Sequence, residues 1–359
     1  MADDVALRQS ARISTAAIVV VSLVVATVLD PATFAGPVAT FVLCYLPVQI
    51  VLAGMWARHP GWLAEQSRAV RGATLLLAAL GMGAVAELVF VATVGGGQGA
   101  GTPQIAMFSI VTVVATFLLV VVFECWPFAG MPNRAVGTAG LLISAYALAL
   151  LLYYLLFDLS FLPPPAQTPQ TPTGAFNAWY VLTFLVTAIT AMFLPPAFGF
   201  AGFERLRQPV RGLVGSLLCL VWASLLFALG VGVAWIDPVD FLVWVPVPLL
   251  FGGLIVLVVF RDSLFGGEQR RVRRGITNTL ASAAVGLVLV GIYRLAAELV
   301  SPALAWGPPT YQGQVWIASA TLALTFPLLA THADFFDHWP LLTTAPAEVG
   351  TEVEELPNN

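Results

Sequence analysis

The chain has 359 residues, of which 59% are hydrophobic and only 9% charged, with a mean hydropathy of +0.91. Soluble domains average about 45–50% apolar and about 25% charged residues, so a soluble enzyme, a nucleic-acid binder and a disordered scaffold are all excluded. Formal net charge is −4, and all 15 basic residues are Arg; without Lys there is no retinal or pyridoxal Schiff base and no phosphate loop of the Walker type.

Apolar runs long enough to cross about 30 Å of hydrocarbon recur along the chain. Ten are predicted, at 14–30, 37–56, 72–94, 105–123, 137–157, 178–200, 212–235, 241–260, 276–298 and 313–333. The first follows Arg8 and Arg12 without a small-residue cleavage site, and so reads as an uncleaved anchor. Residues 1–13 form a cytoplasmic segment, 14–340 a single membrane domain, and 341–359 an acidic cytoplasmic tail expected to be disordered. Fourteen of the arginines fall before span 1 or in alternate loops, and Arg294 alone lies inside a span. By the positive-inside rule both termini are cytoplasmic, in a plasma or cell inner membrane. The opposite loops are uncharged or acidic. Asp30-Pro31 and Asp237-Pro238 are each expected to stop a helix there, where proline cannot continue it, Asp158 ends one, and 162–177 is a Pro/Thr/Gln-rich irregular loop.

The arginine-bearing ends repeat a pattern. Phe123-Glu124-Cys125-Trp126-Pro127 closes span 4, and Phe336-Asp337-His338-Trp339-Pro340 closes span 10, 213 residues later. Related ends are Phe203-Glu204 and Phe260-Arg261-Asp262. The next odd span opens on a glycine, at Gly72, Gly137, Gly212 and Gly275, spaced by 65, 75 and 63 residues. Both spacings agree with an all-α fold of five tandem, parallel-oriented helical hairpins of about 65–75 residues each. Even spans carry the prolines (Pro47, Pro195-Pro196, Pro246, Pro248, Pro327), whose freed backbone groups need protein or water, so these spans are expected to face protein or a cavity. Odd spans carry glycines that permit close packing.

Five parallel hairpins making ten spans resemble the arrangement of the slow-anion-channel and tellurite-resistance/dicarboxylate transporter family. The resemblance is one of architecture, with no shared sequence motif, and it implies a central conduit of quasi-fivefold symmetry. In that family the odd helices line the pore and carry the kinks, whereas here the even ones are kinked.

Intramembrane charge marks the first candidate site. Glu87 lies in span 3, and Arg294 and Glu298 share a face of span 9, four residues apart. Counted from Gly72 and Gly275, Glu87 and Arg294 differ in depth by about 6 Å. A charge at such depth needs a partner or water, so Arg294, held by Glu298 or Glu87, is a candidate solute-binding cation. Set against this is a simple interhelical ion pair. His332, Asp334 and His338 form the second candidate, with donors suited to copper, zinc or iron, against the plainer reading of a solvated helix end. Glu124, Trp126, Pro127, Asp337, Trp339 and Pro340 are expected to be structural, with the acids pairing to arginines such as Arg134, Arg211 or Arg274 and the tryptophans at the membrane interface. The three cysteines are scattered and form no disulfide framework, and three histidines near one membrane face give no mid-membrane haem pair.

The sequence therefore points to a channel or secondary transporter for a small solute, an anion among the candidates, with no cofactor. The alternatives are a metal-bearing membrane subunit of an oxidoreductase and a non-conducting scaffold. Expected partners are the lipid bilayer, the solute, and another copy or a membrane-complex subunit, with no nucleic acid.

Overall fold

A computed structural model describes residues 2–57, 63, 65–198, 205–261, 264 and 271–342. Nine helices within these residues are long and apolar enough to cross a membrane: α1 Val5–Val28, α2 Pro31–Trp56, α3 Arg68–Ala92, α4 Pro103–Val122, α5 Arg134–Leu156, α7 Val210–Val233, α8 Pro238–Val259, α9 Arg271–Leu299 and α10 Gln312–Phe335. The sixth predicted span is shorter, an apolar helix α6 at Ala178–Phe193 continued by Leu194–Ala197. The first helix starts at Ala2, so residues 2–13 are helical and continuous with it. The tail from residue 343 lies outside the described residues.

Local chemistry sets the helix starts. Asp30 and Asp237 accept hydrogen bonds from the first free amides of α2 and α8, and Pro31, Pro103 and Pro238 occupy first-turn positions, where a missing N–H costs nothing. Ser67 and Asn133 cap α3 and α5 in the same way.

The helices form two concentric rings. Between 61% and 72% of the apolar stretch is buried in α2, α4, α8 and α10, against 11–28% in α1, α3, α5, α7 and α9. Contacts α2–α4, α4–α6, α6–α8, α8–α10 and α10–α2 close the inner ring. The kinked even helices are thus the inner ones. They also hold most of the π-helical turns, at Phe34–Val38, Ala53–Ala57, Leu118–Val122, Leu254–Val259, Ser319–Thr325 and Thr331–Phe335.

Each outer helix packs chiefly on the inner helix that precedes it in the chain: α3 on α2, α5 on α4, α7 on α6, α9 on α8, while α1 lies on α10. The predicted hairpins, odd span out and even span back, are therefore connections rather than the tightest packing pairs. Small residues decide the partner, since lipid leaves no hydrophobic drive between helices. A Cβ at Gly252 would meet the Ser282 carbonyl, and one at Gly286 the Pro248 carbonyl, so α8 and α9 touch backbone to backbone. Gly83 similarly seats Tyr45 of α2 against α3, with 2.8 Å from an added Cβ to the Tyr45 Cα.

The inner helices then reach one step further around at the arginine-bearing end. Phe123 beyond α4 covers Gly212 of α7, Phe198 beyond α6 covers Gly275 of α9, and Phe336 beyond α10 covers Gly72 of α3. Trp56 of α2 donates to Thr138 of α5 at 2.8 Å. At the other end, the loop expected to be irregular is tied down. Phe157–Asp158 pairs in parallel with Phe176–Asn177, Leu159 and Leu162 are buried, and the Gln104 amide donates to the Ala166 carbonyl.

Candidate functional site

The inner ring encloses a chamber of about 290 Å³ to which α2, α4, α6, α8 and α10 all contribute. It runs from Ala35, Pro103, Trp179, Val239 and Gln314 at the helix starts to Leu46, Phe117, Ile189, Leu250 and Phe326. That is about 15–21 Å at 1.5 Å per residue. Its walls are apolar; Thr310, Gln314 and Ser319 are the polar residues, and no charged side chain lines it. Phe117 and Phe326 meet edge to face with centroids 6.0 Å apart, although α4 and α10 are not ring neighbours. With Leu46, Ile189 and Leu250 they make the floor of the chamber.

At the rim of the chamber, the Tyr311 hydroxyl donates to Asp237 at 2.9 Å and the Gln314 amide to Asp240 at 2.9 Å. Burial, and then the Asp237 carboxylate, drive the Tyr311 phenol well above its ordinary pKa, so it stays a donor. Asp30 and Asp237 each turn one carboxylate oxygen to their own helix amides, and the other oxygen of Asp237 accepts from Tyr311.

Arg294 is elsewhere. It sits on outer helix α9, 41% exposed, with its Nε donating to Glu298 at 2.9 Å. Its guanidinium stacks over Trp306 at 4.9 Å and Trp244 at 5.5 Å from the ring centroids. Glu87 is half-buried on α3, which packs on α2 and α10, whereas α9 packs on α8. The structure thus joins Arg294 to Glu298, leaves Glu87 on a different helix pair, and places none of the three in the chamber wall. Neither tryptophan that flanks Arg294 is marked by the sequence pattern: Trp306 lies in the loop just after α9 and Trp244 in α8, and no spacing rule connects them.

The repeated corners beyond α4 and α10 share one backbone. Glu124 and Cys125 have φ of 51° and 60°; Asp337 and His338 have 50° and 59°. Both corners then pass through a cis Trp–Pro bond, with Trp126 and Trp339 exposed to nearly the same extent, 44% and 42%. Beyond α8, Arg261 has φ 48°, so an arginine stands where the other two corners have the acid. The sequence comparison had matched Asp262 to the acids; Asp262 itself lies outside the described residues, as does Glu204.

Partners differ sharply between the corners. Glu124 pairs with Arg211 at 2.7 Å, reaching α7 rather than the nearer-in-sequence Arg134. Asp337 collects Arg261 from beyond α8, Arg68 at 3.4 Å and Arg71 at 4.0 Å from the start of α3. Arg68 also donates to the Leu342 carbonyl at 2.7 Å.

His338 is fully buried, and both of its ring nitrogens lack a hydrogen-bond partner, as does Nε2 of His332. The two imidazoles stand edge to face, 5.4 Å between centroids. Burial first, then the charge of Arg261, lower the His338 pKa to about 4, with His332 and Arg68 adding to the effect. Among the described residues there is no group of three or more His, Cys, Asp or Glu able to hold a metal ion, and Asp334 does not join the two histidines in one. The arginines that hold His338 neutral would also repel a metal cation. At the equivalent position Cys125 is buried and its thiol is pushed up to about 11 by burial and by Glu124.

The chain matches no protein-family model, no curated protein and no solved structure.

Proposed function

We propose that the chain is a membrane channel or secondary transporter whose small solute passes through the centre of the inner ring. In this reading α6 is a tenth span, the ten spans are five tandem repeats, and the arginine-bearing end is cytoplasmic in the plasma membrane. The observation that carries the proposal is the chamber: every inner helix contributes to it, and Phe117 and Phe326 touch at its deep end beside Leu46, Ile189 and Leu250. A structural scaffold has no need of such a space. The apolar wall favours a solute that gives up its water readily, either neutral or a weakly hydrated anion, because an uncharged lining offers nothing to replace a tight hydration shell.

The test is flux into liposomes of the purified protein, using nitrate, formate, chloride, urea and glycerol as probes. At least one probe should enter faster than into protein-free liposomes. Phe326→Ala or Phe117→Ala should raise that flux by removing the floor, and Ala323→Trp, on the chamber wall, should abolish it. Equal flux with and without protein for every probe, and no effect of either phenylalanine variant, would overturn the proposal. Orientation is checked separately by an Ala175→Cys variant, which should react with an impermeant maleimide added outside intact cells.

A further inference from the structure

We infer that the Asp337 corner is a binding site for a phosphate-class oxyanion, formed by Arg68, Arg71 and Arg261 beside the buried His338. None of these residues lines the chamber, so the inference stands apart from the transport reading.

The charge at this corner is uneven. Three guanidiniums, with side chains 15%, 17% and 29% exposed, share one described carboxylate, Asp337. Partly buried cations are unfavourable unless each finds a counter-charge, and one carboxylate cannot offer a paired fork to three. Arg71 shows the shortfall directly: its Nε is buried without a partner and its terminal nitrogen is 4.0 Å from Asp337. The second observation is His338, fully buried with both ring nitrogens unpartnered and close enough to Arg68 and Arg261 for their charges to depress it. A neutral imidazole there offers an N–H donor to an anion.

Chemistry selects the ligand class. A tetrahedral oxyanion presents several acceptor oxygens, which matches guanidinium forks arriving from α3 and from beyond α8, whereas a halide accepts without that geometry. Depth also fits. The corner begins immediately past the last turn of α10, and Trp339 beside it is exposed as an interfacial tryptophan would be. Phosphate at that level is supplied either by an anionic lipid headgroup or by free phosphate in solution. The α4 corner serves as the internal control, since among the described residues Glu124 there pairs with one arginine, Arg211.

The experiment measures thermal unfolding of the detergent-purified full chain at constant ionic strength. Inorganic phosphate is titrated against chloride in one arm, and phosphatidylglycerol against phosphatidylcholine in mixed micelles in the other. Either phosphate, phosphatidylglycerol or both should raise the midpoint of the wild type and of Arg211→Gln alike. Arg68→Gln/Arg71→Gln should weaken the apparent affinity about tenfold or more, as expected for lost charge-assisted hydrogen bonds. A response to phosphatidylglycerol alone assigns the site to a lipid headgroup, and a response to both assigns it to the free oxyanion. Should the double variant fail to fold, Arg71→Gln alone, which loosens only the longest pair, is read by the same shift. No shift beyond chloride and phosphatidylcholine, or a shift left intact by the arginine substitutions, would overturn the inference.

Discussion

The corners beyond α4 and α10 follow the same backbone path and do different chemistry. Each places a phenylalanine under the opening glycine of an outer helix and then turns through two left-handed residues. At α4 the acid meets one arginine, half in water, and the following residue is a cysteine that stays protonated. At α10 the acid meets three arginines and the following residue is a buried histidine. Backbone shape in such a fold is thus set by packing, while charge is free to diverge between copies.

The largest expected difference between the corners is in pH dependence. His338 has a folded pKa of about 4 against an unfolded value of about 6.5, so the unfolded state binds the extra proton between those values. Stability from this group is therefore complete above pH about 6.5 and is lost as pH falls toward 4, by roughly 2–4 kcal/mol. His338→Cys, which installs the α4 residue, should flatten that part of the pH–stability curve measured by denaturant or thermal unfolding. A curve of unchanged slope would break the contrast.

Removing the acids should separate the corners next. Asp337→Ala leaves three partly buried guanidiniums without their carboxylate and should cost about 2–3 kcal/mol, less than a fully buried pair because water still reaches them. The shared packing should respond equally: Gly72→Ala and Gly212→Ala each force a phenylalanine ring aside and should each cost about 1–2 kcal/mol. Unequal losses would show that the two corners pack differently. The smallest effect belongs to Glu124→Ala, under about 1 kcal/mol, because its pair with Arg211 is solvent-screened, and 0.5 M salt should remove most of even that.

Much of the architecture was legible from one sequence. Hydropathy runs located the helices, the prolines of the even spans marked the inner ring, and the glycines at 72, 212 and 275 marked outer-helix openings, on which only the structure seats the corner phenylalanines. The site was less legible. Arg294 drew attention as the one arginine inside a span, yet it lies against Trp306 and Trp244 on an outer helix. The chamber has no charged wall and so gave no signal at all; Phe117 and Phe326 read as ordinary core residues until their helices met across the ring.

The sequence by itself determined what depends on local and periodic chemistry: membrane class, the helix boundaries at Asp30-Pro31 and Asp237-Pro238, and the recurring Phe-acid corners. Only the tertiary structure decided which helix packs on which, because contacts such as Gly252 with Ser282 and Gly286 with Pro248 join residues whose pairing depends on shape rather than spacing. It also decided which arginine finds which acid. Asp337 gathers guanidiniums from the start of α3 and from beyond α8, positions 76 and more residues away in the chain, and Coulomb attraction acts on distance in space alone.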